Sequence, residues 1–140
     1  MMAISQRIAF VALAAAMSAA CGSSSSTTTS PSATSTSPVT DTFASEVAVR
    51  GSASRAFTMT TAGTVKVTLT TFGNGTIPAG VGIGVPGSGA PCSLEQSVVT
   101  PPGDTPQIVT SADAGTYCAQ VYDTGSLIQD TSFSLVIEHP

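Results

Sequence analysis

The chain has 140 residues, with eight acidic, four basic and one histidine side chain, a formal net charge of −4, and a charged fraction of only 9 %. That charge excludes an electrostatic nucleic-acid binder, which needs a clustered basic footprint against the phosphate backbone. With so few charges and no tryptophan, solubility must rest on Ser, Thr and Gly, and no stretch shows a capped helical period.

In chain order, Met1 to Ala20 has the parts of an export signal: the single cation Arg7, an apolar run from Ile8 to Met17, and the small residues Ser18-Ala19-Ala20. The apolar run is too short to span a bilayer, which takes about 20 residues. Cys21 follows directly, and Ser18-Ala19-Ala20-Cys21 resembles the lipobox of bacterial lipoproteins, departing from it at Ser18, where leucine is usual. The resemblance implies that residues 1–20 are removed and that the Cys21 thiol is joined to a diacylglycerol. Several acyl chains then hold the protein to a membrane, each buried methylene contributing about 0.8 kcal/mol. Ordinary signal cleavage at the same bond would leave Cys21 as a free thiol. Cysteine arithmetic favours the lipid, because three cysteines in an exported chain leave one over, and lipidation of Cys21 leaves the pair Cys92 and Cys118. The implied address is the bacterial cell envelope, facing the periplasm or the outside. Gly22, in place of the aspartate that marks inner-membrane retention in some Gram-negative bacteria, favours the outer membrane.

Gly22 to Thr40 holds 14 serines and threonines in 19 residues. Such a segment has nothing to bury against its conformational entropy, so with Cys21 it reads as a disordered tether, spanning about 25 Å if flexible. An O-glycosylated stalk is the alternative for this composition.

Asp41 to Pro140 then reads as one domain, with three basic residues (Arg50, Arg55 and Lys66) against eight acids. Phe43, Val47 and Val49 form a loose apolar series before Gly51, and Phe57 and Met59 form an inward pair before Ala62-Gly63. Thr64 to Thr71 alternates cleanly, with Val65, Val67 and Leu69 on one face. Val81, Ile83 and Val85 alternate with glycines, which permit close backbone approach. Leu94 to Val99 and Gln107 to Thr110 are weaker strands separated by Pro101-Pro102-Gly103-Asp104. Tyr117, Ala119 and Val121 follow in what reads as the central strand, and Phe133, Leu135 and Ile137 close the chain. Each strand has one apolar face, so two sheets must stack to hide them. The expected fold is all-β: a single small β-sandwich or jelly roll of about eight antiparallel strands with one disulfide, behind a signal peptide and a disordered linker.

Ala56 to Thr70, Gly82-Ile83-Gly84-Val85, Ala112 to Asp123 and Phe133 to Ile137 together resemble the bacterial pre-peptidase C-terminal domains. These show the same order of a phenylalanine strand, an alternating strand opened by Ala-Gly-Thr, an Ala-Gly-Thr-Tyr strand and a closing strand. The resemblance covers nearly all of Asp41 to Pro140 and implies a small β-sandwich that serves as an accessory or binding module beside secreted hydrolases. Asp113-Ala114-Gly115-Thr116-Tyr117 is also similar to the immunoglobulin tyrosine corner. There, however, the tyrosine lies two residues before its cysteine, and here Tyr117 adjoins Cys118.

In an oxidising compartment Cys92 and Cys118 are expected to form a disulfide. Other motifs point less clearly to chemistry. Gly82-Ile83-Gly84-Val85-Pro86-Gly87 spells G-x-G-x-x-G, but a phosphate site needs a helix at that point. Asn74-Gly75-Thr76 is a formal glycosylation sequon that reads more plainly as a turn. His139, the sole histidine, stands one residue from the end, where a fraying terminus could hardly orient a nucleophile. Asp104, Asp113, Asp123 and Asp130 are weak calcium candidates, scattered and without an Asp-x-Asp pattern. Tyr122, on the face opposite Tyr117, could offer a stacking platform to a sugar or be a packed edge residue.

No cofactor is implied and no catalytic constellation can be assembled, which leaves two readings. One is a non-catalytic, envelope-anchored module that binds a glycan, a cell-wall polymer or a protein partner. The other is a structural or spacer lipoprotein without a small ligand. Exposed aromatics or a concave face would favour the first, a flat Ser/Thr surface the second.

Overall fold

The computed structural model describes residues 37–89 and 91–140; the expected export signal, Cys21 and residues 22–36 of the expected tether lie outside the described residues. Eight strands follow in order: β1 (Val39–Val47), β2 (Ser52–Met59), β3 (Gly63–Phe72), β4 (Ala79–Val85), β5 (Ser93–Thr100), β6 (Ile108–Ala112), β7 (Gly115–Tyr122) and β8 (Thr131–His139). All eight expected strands are present. β1 starts at Val39, two residues before the expected domain boundary, because Val39 and Thr40 pair with His139 and Glu138.

β4 pairs with β5, β3 with β6, β2 with β7 and β1 with β8, all antiparallel. The chain is therefore one long hairpin ribbon. Folding that ribbon over itself adds the β3–β8 and β4–β7 pairings and makes two four-stranded sheets, β1-β8-β3-β6 and β2-β7-β4-β5. This is a jelly roll. β7 lies inside its sheet, between β2 and β4, as expected of a central strand.

The inner faces follow the alternation read from the sequence. Val65, Val67 and Leu69 of β3 meet Leu135 and Ile137 of β8, and Val81 of β4, Ala119 and Val121 of β7 come from the other sheet; all are fully buried. Phe43 packs edge-on to Phe133 with ring centroids 5.1 Å apart, and Phe57 lies beside Tyr117 at 6.0 Å. Two positions depart from the alternation. Val49 belongs to the β1–β2 turn, and Val85 lies beyond a register shift at Ile83/Gly84; both are exposed.

Cys92 and Cys118 form the expected disulfide, with Cα atoms 5.8 Å apart. Cys118 is on the outer face of β7, opposite Ala56 and Gly84. The bond therefore clamps the start of β5 over the outer face of its own sheet, and it does not cross the core.

At one side of the sandwich the edges β1 and β2 are bridged by the Arg55 guanidinium, which donates to the Thr42 carbonyl at 3.2 Å. At the other side β5 and β6 leave the layers more open. Just before β6 begins, Gln107 extends the ladder with its side chain. Its Oε1 accepts from the Leu69 N–H at 2.6 Å, its Nε2 donates to the Leu69 carbonyl at 3.4 Å, and its own N–H donates to Val67 at 3.0 Å.

Candidate functional site

The glycine-rich strand β4 sets the shape of the outer face of its sheet. Ala79, Val81 and Ile83 point inward, so Gly80, Gly82 and Gly84 point outward and leave a bare strip. Neighbouring side chains lie down into that strip. A Cβ on Gly80 would overlap the Tyr122 ring, its cross-strand partner, and one on Gly82 would meet the Leu94 methyls at 2.7 Å. The G-x-G-x-x-G match is thus strand and strand exit, with no helix after it. Tyr122 is half-buried with its ring on Gly80, between the exposed platform and the packed edge residue expected of it.

Beside Tyr122 a shallow hollow of about 360 Å³ opens, lined by Arg50, Leu94, Gln120, Tyr122 and Asp123 among others. That volume lies in the range of small-molecule sites. Gln120 lies between Ser54 and Gly82 on the outer face, and its Oε1 is buried without a hydrogen-bond partner. An unmet buried acceptor costs about 1–3 kcal/mol. Turning the amide over would leave an unmet N–H in the same place.

Arg50 forms the rim. The turn Ala48–Gly51 is closed by the Gly51 N–H donating to Ala48 at 2.8 Å, and Arg50 occupies it with φ +57°, the one non-glycine residue with positive φ among the described residues. Glycine takes that conformation freely, whereas other residues are strained there by about 1–2 kcal/mol. Three contacts hold the turn: Arg50 N–H to Asp123 Oδ2 at 2.8 Å, Val49 N–H to Asp130 Oδ1 at 3.2 Å, and Asp123 N–H to the Gly51 carbonyl at 3.0 Å. The Arg50 guanidinium itself makes no hydrogen bond or ion pair among the described residues.

The four acids named as calcium candidates do not converge. Asp104 is in the β5–β6 loop and Asp113 in the β6–β7 turn, where its carbonyl accepts from Tyr117 Oη at 3.0 Å. Tyr117 therefore makes the upstream hydrogen bond of a tyrosine corner although its spacing to Cys118 differs. Asp123 Oδ1 accepts from the N–H groups of Gly125, Ser126 and Leu127 at 2.8, 2.9 and 3.2 Å. These bonds, with that from the Arg50 N–H first among them, lower the Asp123 pKa from its ordinary value of 3.8. Asp123 and Asp130 are thus fasteners of the β1–β2 turn. Among the described residues no group of three His, Cys, Asp or Glu side chains is placed to hold a metal ion.

His139 departs from its expectation. It is not frayed but buried at the inner end of β8, 4 % exposed, with its ring 5.1 Å from that of Phe57. Its Nε2 faces Asp41 Oδ2 at 3.3 Å and its Nδ1 faces the Pro140 carbonyl at 3.0 Å. Both ring nitrogens face oxygen atoms and the ring is buried, and among the described residues no hydroxyl or thiol lies within hydrogen-bond reach of it. Asn74 is a turn residue whose Oδ1 accepts from Thr76 Oγ1 at 2.8 Å.

A larger hollow of about 460 Å³ lies between β5 and β6, lined by Glu95, Asp113 and Tyr117. Its carboxylates are in solvent and its phenol is satisfied, so no group there lacks a partner that water does not supply. The smaller hollow at Tyr122 is the stronger candidate because it combines an unmet buried group with a strained, unpaired arginine. Neither Arg50 nor Gln120 carried a signal in the sequence. One follows an ordinary turn pattern, and the other is a polar residue on the outer face of an alternating strand.

Fold and site together define a disulfide-braced, eight-stranded jelly roll with one polar hollow on the outer face of its glycine-rich sheet. The chain matches no protein-family model and no curated protein sequence.

Proposed function

We propose that this protein is a non-catalytic lipoprotein of the bacterial cell envelope, anchored by lipid on Cys21, whose jelly roll is a binding module for an envelope glycan. The observation that carries this reading is the hollow at Tyr122, where an aromatic ring lies beside a buried amide without a partner. Sugars are bound by that combination, because their C–H faces pack on rings while their hydroxyls meet planar polar side chains. The resemblance of Ala56–Thr70 and Ala112–Asp123 to pre-peptidase C-terminal domains supports an accessory role, and the lipobox resemblance of Ser18–Cys21 supports the anchor. His139 is buried with no hydroxyl or thiol beside it among the described residues, which fits a non-catalytic reading.

One feature favours the alternative of a spacer. The outer face of β1-β8-β3-β6 carries Thr40, Thr42, Thr64, Thr68, Ser132 and Ser134 around a single ion pair, Lys66–Glu138 at 3.3 Å. It is a Ser/Thr-rich surface in which Thr68 is covered by its neighbours and the exposed Val109 of β6 lies beside Lys66.

Retention of the full chain, purified in detergent, on peptidoglycan and surface polysaccharides decides between them. Saturable retention that Tyr122→Ala weakens at least tenfold is the expected result. Failure to be retained on any of these polymers would leave the spacer.

A further inference from the structure

We infer that the hollow at Tyr122 takes an acidic saccharide, a sugar bearing an anionic substituent beside its hydroxyls; this rests on the reading of the domain as a glycan-binding module. The three groups that line the hollow ask for different parts of one ligand. Tyr122, flat on Gly80, offers an apolar platform, and Leu94 lies across Gly82 beside it. Gln120 holds a buried amide atom with no partner. That atom is closed to solvent as the side chain lies, so a ligand hydroxyl, which both donates and accepts, meets the amide once Gln120 turns toward the hollow.

Arg50 supplies the selectivity. The described domain contains three cations, and two are engaged: Arg55 donates to the Thr42 carbonyl, and Lys66 pairs with Glu138. The Arg50 guanidinium makes no hydrogen bond or ion pair among the described residues. Its neighbour Asp123 is a carboxylate at the edge of the same hollow and offsets part of that charge, but it makes no ion pair with the guanidinium among the described residues, its oxygens accepting from backbone N–H groups instead. The turn is fastened at three points around a backbone conformation that glycine would adopt without strain. A strained residue held by its surroundings, with its side chain unpaired at the rim of a hollow, is a pattern of functional sites. A guanidinium meets a carboxylate or a phosphate through two parallel N–H donors, and either group on a sugar would be read in this way. The domain's own negative charge opposes an anion at long range, an opposition that physiological salt screens beyond about 8 Å. The contact with Arg50 is shorter than that.

The test uses the full chain in detergent at 0.15 M salt, titrated with three probes: an oligouronate, its carboxyl-reduced neutral counterpart and a sugar phosphate. The expected result is that the oligouronate or the sugar phosphate binds at least tenfold more tightly than the neutral sugar. Arg50→Gly should abolish that preference while keeping the weak neutral binding. Gln120→Leu should weaken all three probes. Both variants should melt a few degrees higher than the parent without ligand, because each removes a local penalty; a residue present for stability would shift melting the other way. Whichever of the two anions binds identifies the substituent. Equal affinity for neutral and charged sugars, or a preference that survives Arg50→Gly, overturns the inference and leaves the binding-module reading intact. If no probe binds, the inference falls, and retention on whole polysaccharides judges the module separately.

Discussion

Leu69 is fully buried in β3, and both its N–H and its carbonyl are met by the amide of Gln107, 38 residues away. Gln107→Ala leaves that N–H unpaired inside the protein. The expected cost is about 1–3 kcal/mol, read as a lower denaturant midpoint at unchanged slope. Asp123 gives a second prediction at this scale. Its carboxyl is held below its ordinary 3.8 first by the Arg50 N–H and then by three N–H groups of the following loop. A lowered folded value means that the carboxylate stabilises the fold fully above pH 3.8, and that this contribution is lost as the pH falls below it through the folded value. Acid titration of stability should therefore show a drop in that window that Asp123→Asn lacks. An Asp123→Asn profile that overlays the parent would mean the loop is held by other contacts. Added calcium should leave the melting temperature unchanged, since the loop acids are dispersed and two of them already bind backbone.

β4 links sequence to site at the scale of the element. Of its three outward glycines, Gly80 makes room for Tyr122, Gly82 for Leu94 and Gly84 for the β5 backbone at Ser93, so Gly80→Ala forces the Tyr122 ring off the sheet. Overpacking of this kind should destabilise by about 1–3 kcal/mol and weaken glycan binding in the same variant. The disulfide acts on the same two strands. Cys92 stands two residues before Leu94 and Cys118 two before Gln120, so the bond holds both lining residues in register. In the chain-entropy model, closing a loop with a sequence separation of 26 stabilises by roughly 3–4 kcal/mol. Cys92→Ser with Cys118→Ser should lower the melting temperature by more than about 10 °C, and an unchanged melting curve would remove the bond from any structural account.

At the scale of the whole molecule, the proposed anchor predicts that membrane-extracted protein begins at Cys21 and carries acyl mass; an intact mass without it would remove the lipid. The fold was largely legible beforehand. Val65, Val67 and Leu69, or Phe133, Leu135 and Ile137, alternate within a few residues of one another, and a period of two is a local property that marks a strand and its buried face. The odd count of three cysteines, together with the lipobox resemblance at Cys21, pointed to the Cys92–Cys118 pair that the fold contains. Of the site only Tyr122 and Asp123 stood out in the sequence; their meeting with Arg50, Leu94 and Gln120 was not legible, because it depends on long-range register. Arg50 reaches Asp123 across 73 residues, Val49 reaches Asp130 across 81, and His139 reaches Asp41 across 98. His139 looked like a loose terminus until β1 was laid beside it. Local alternation therefore determined the strands, their inner faces and the class of fold, since each strand must hide its own apolar side. Only the folding of the ribbon into two sheets decided which polar residues share the outer face of β2-β7-β4-β5, because that depends on which strands become neighbours and in what register.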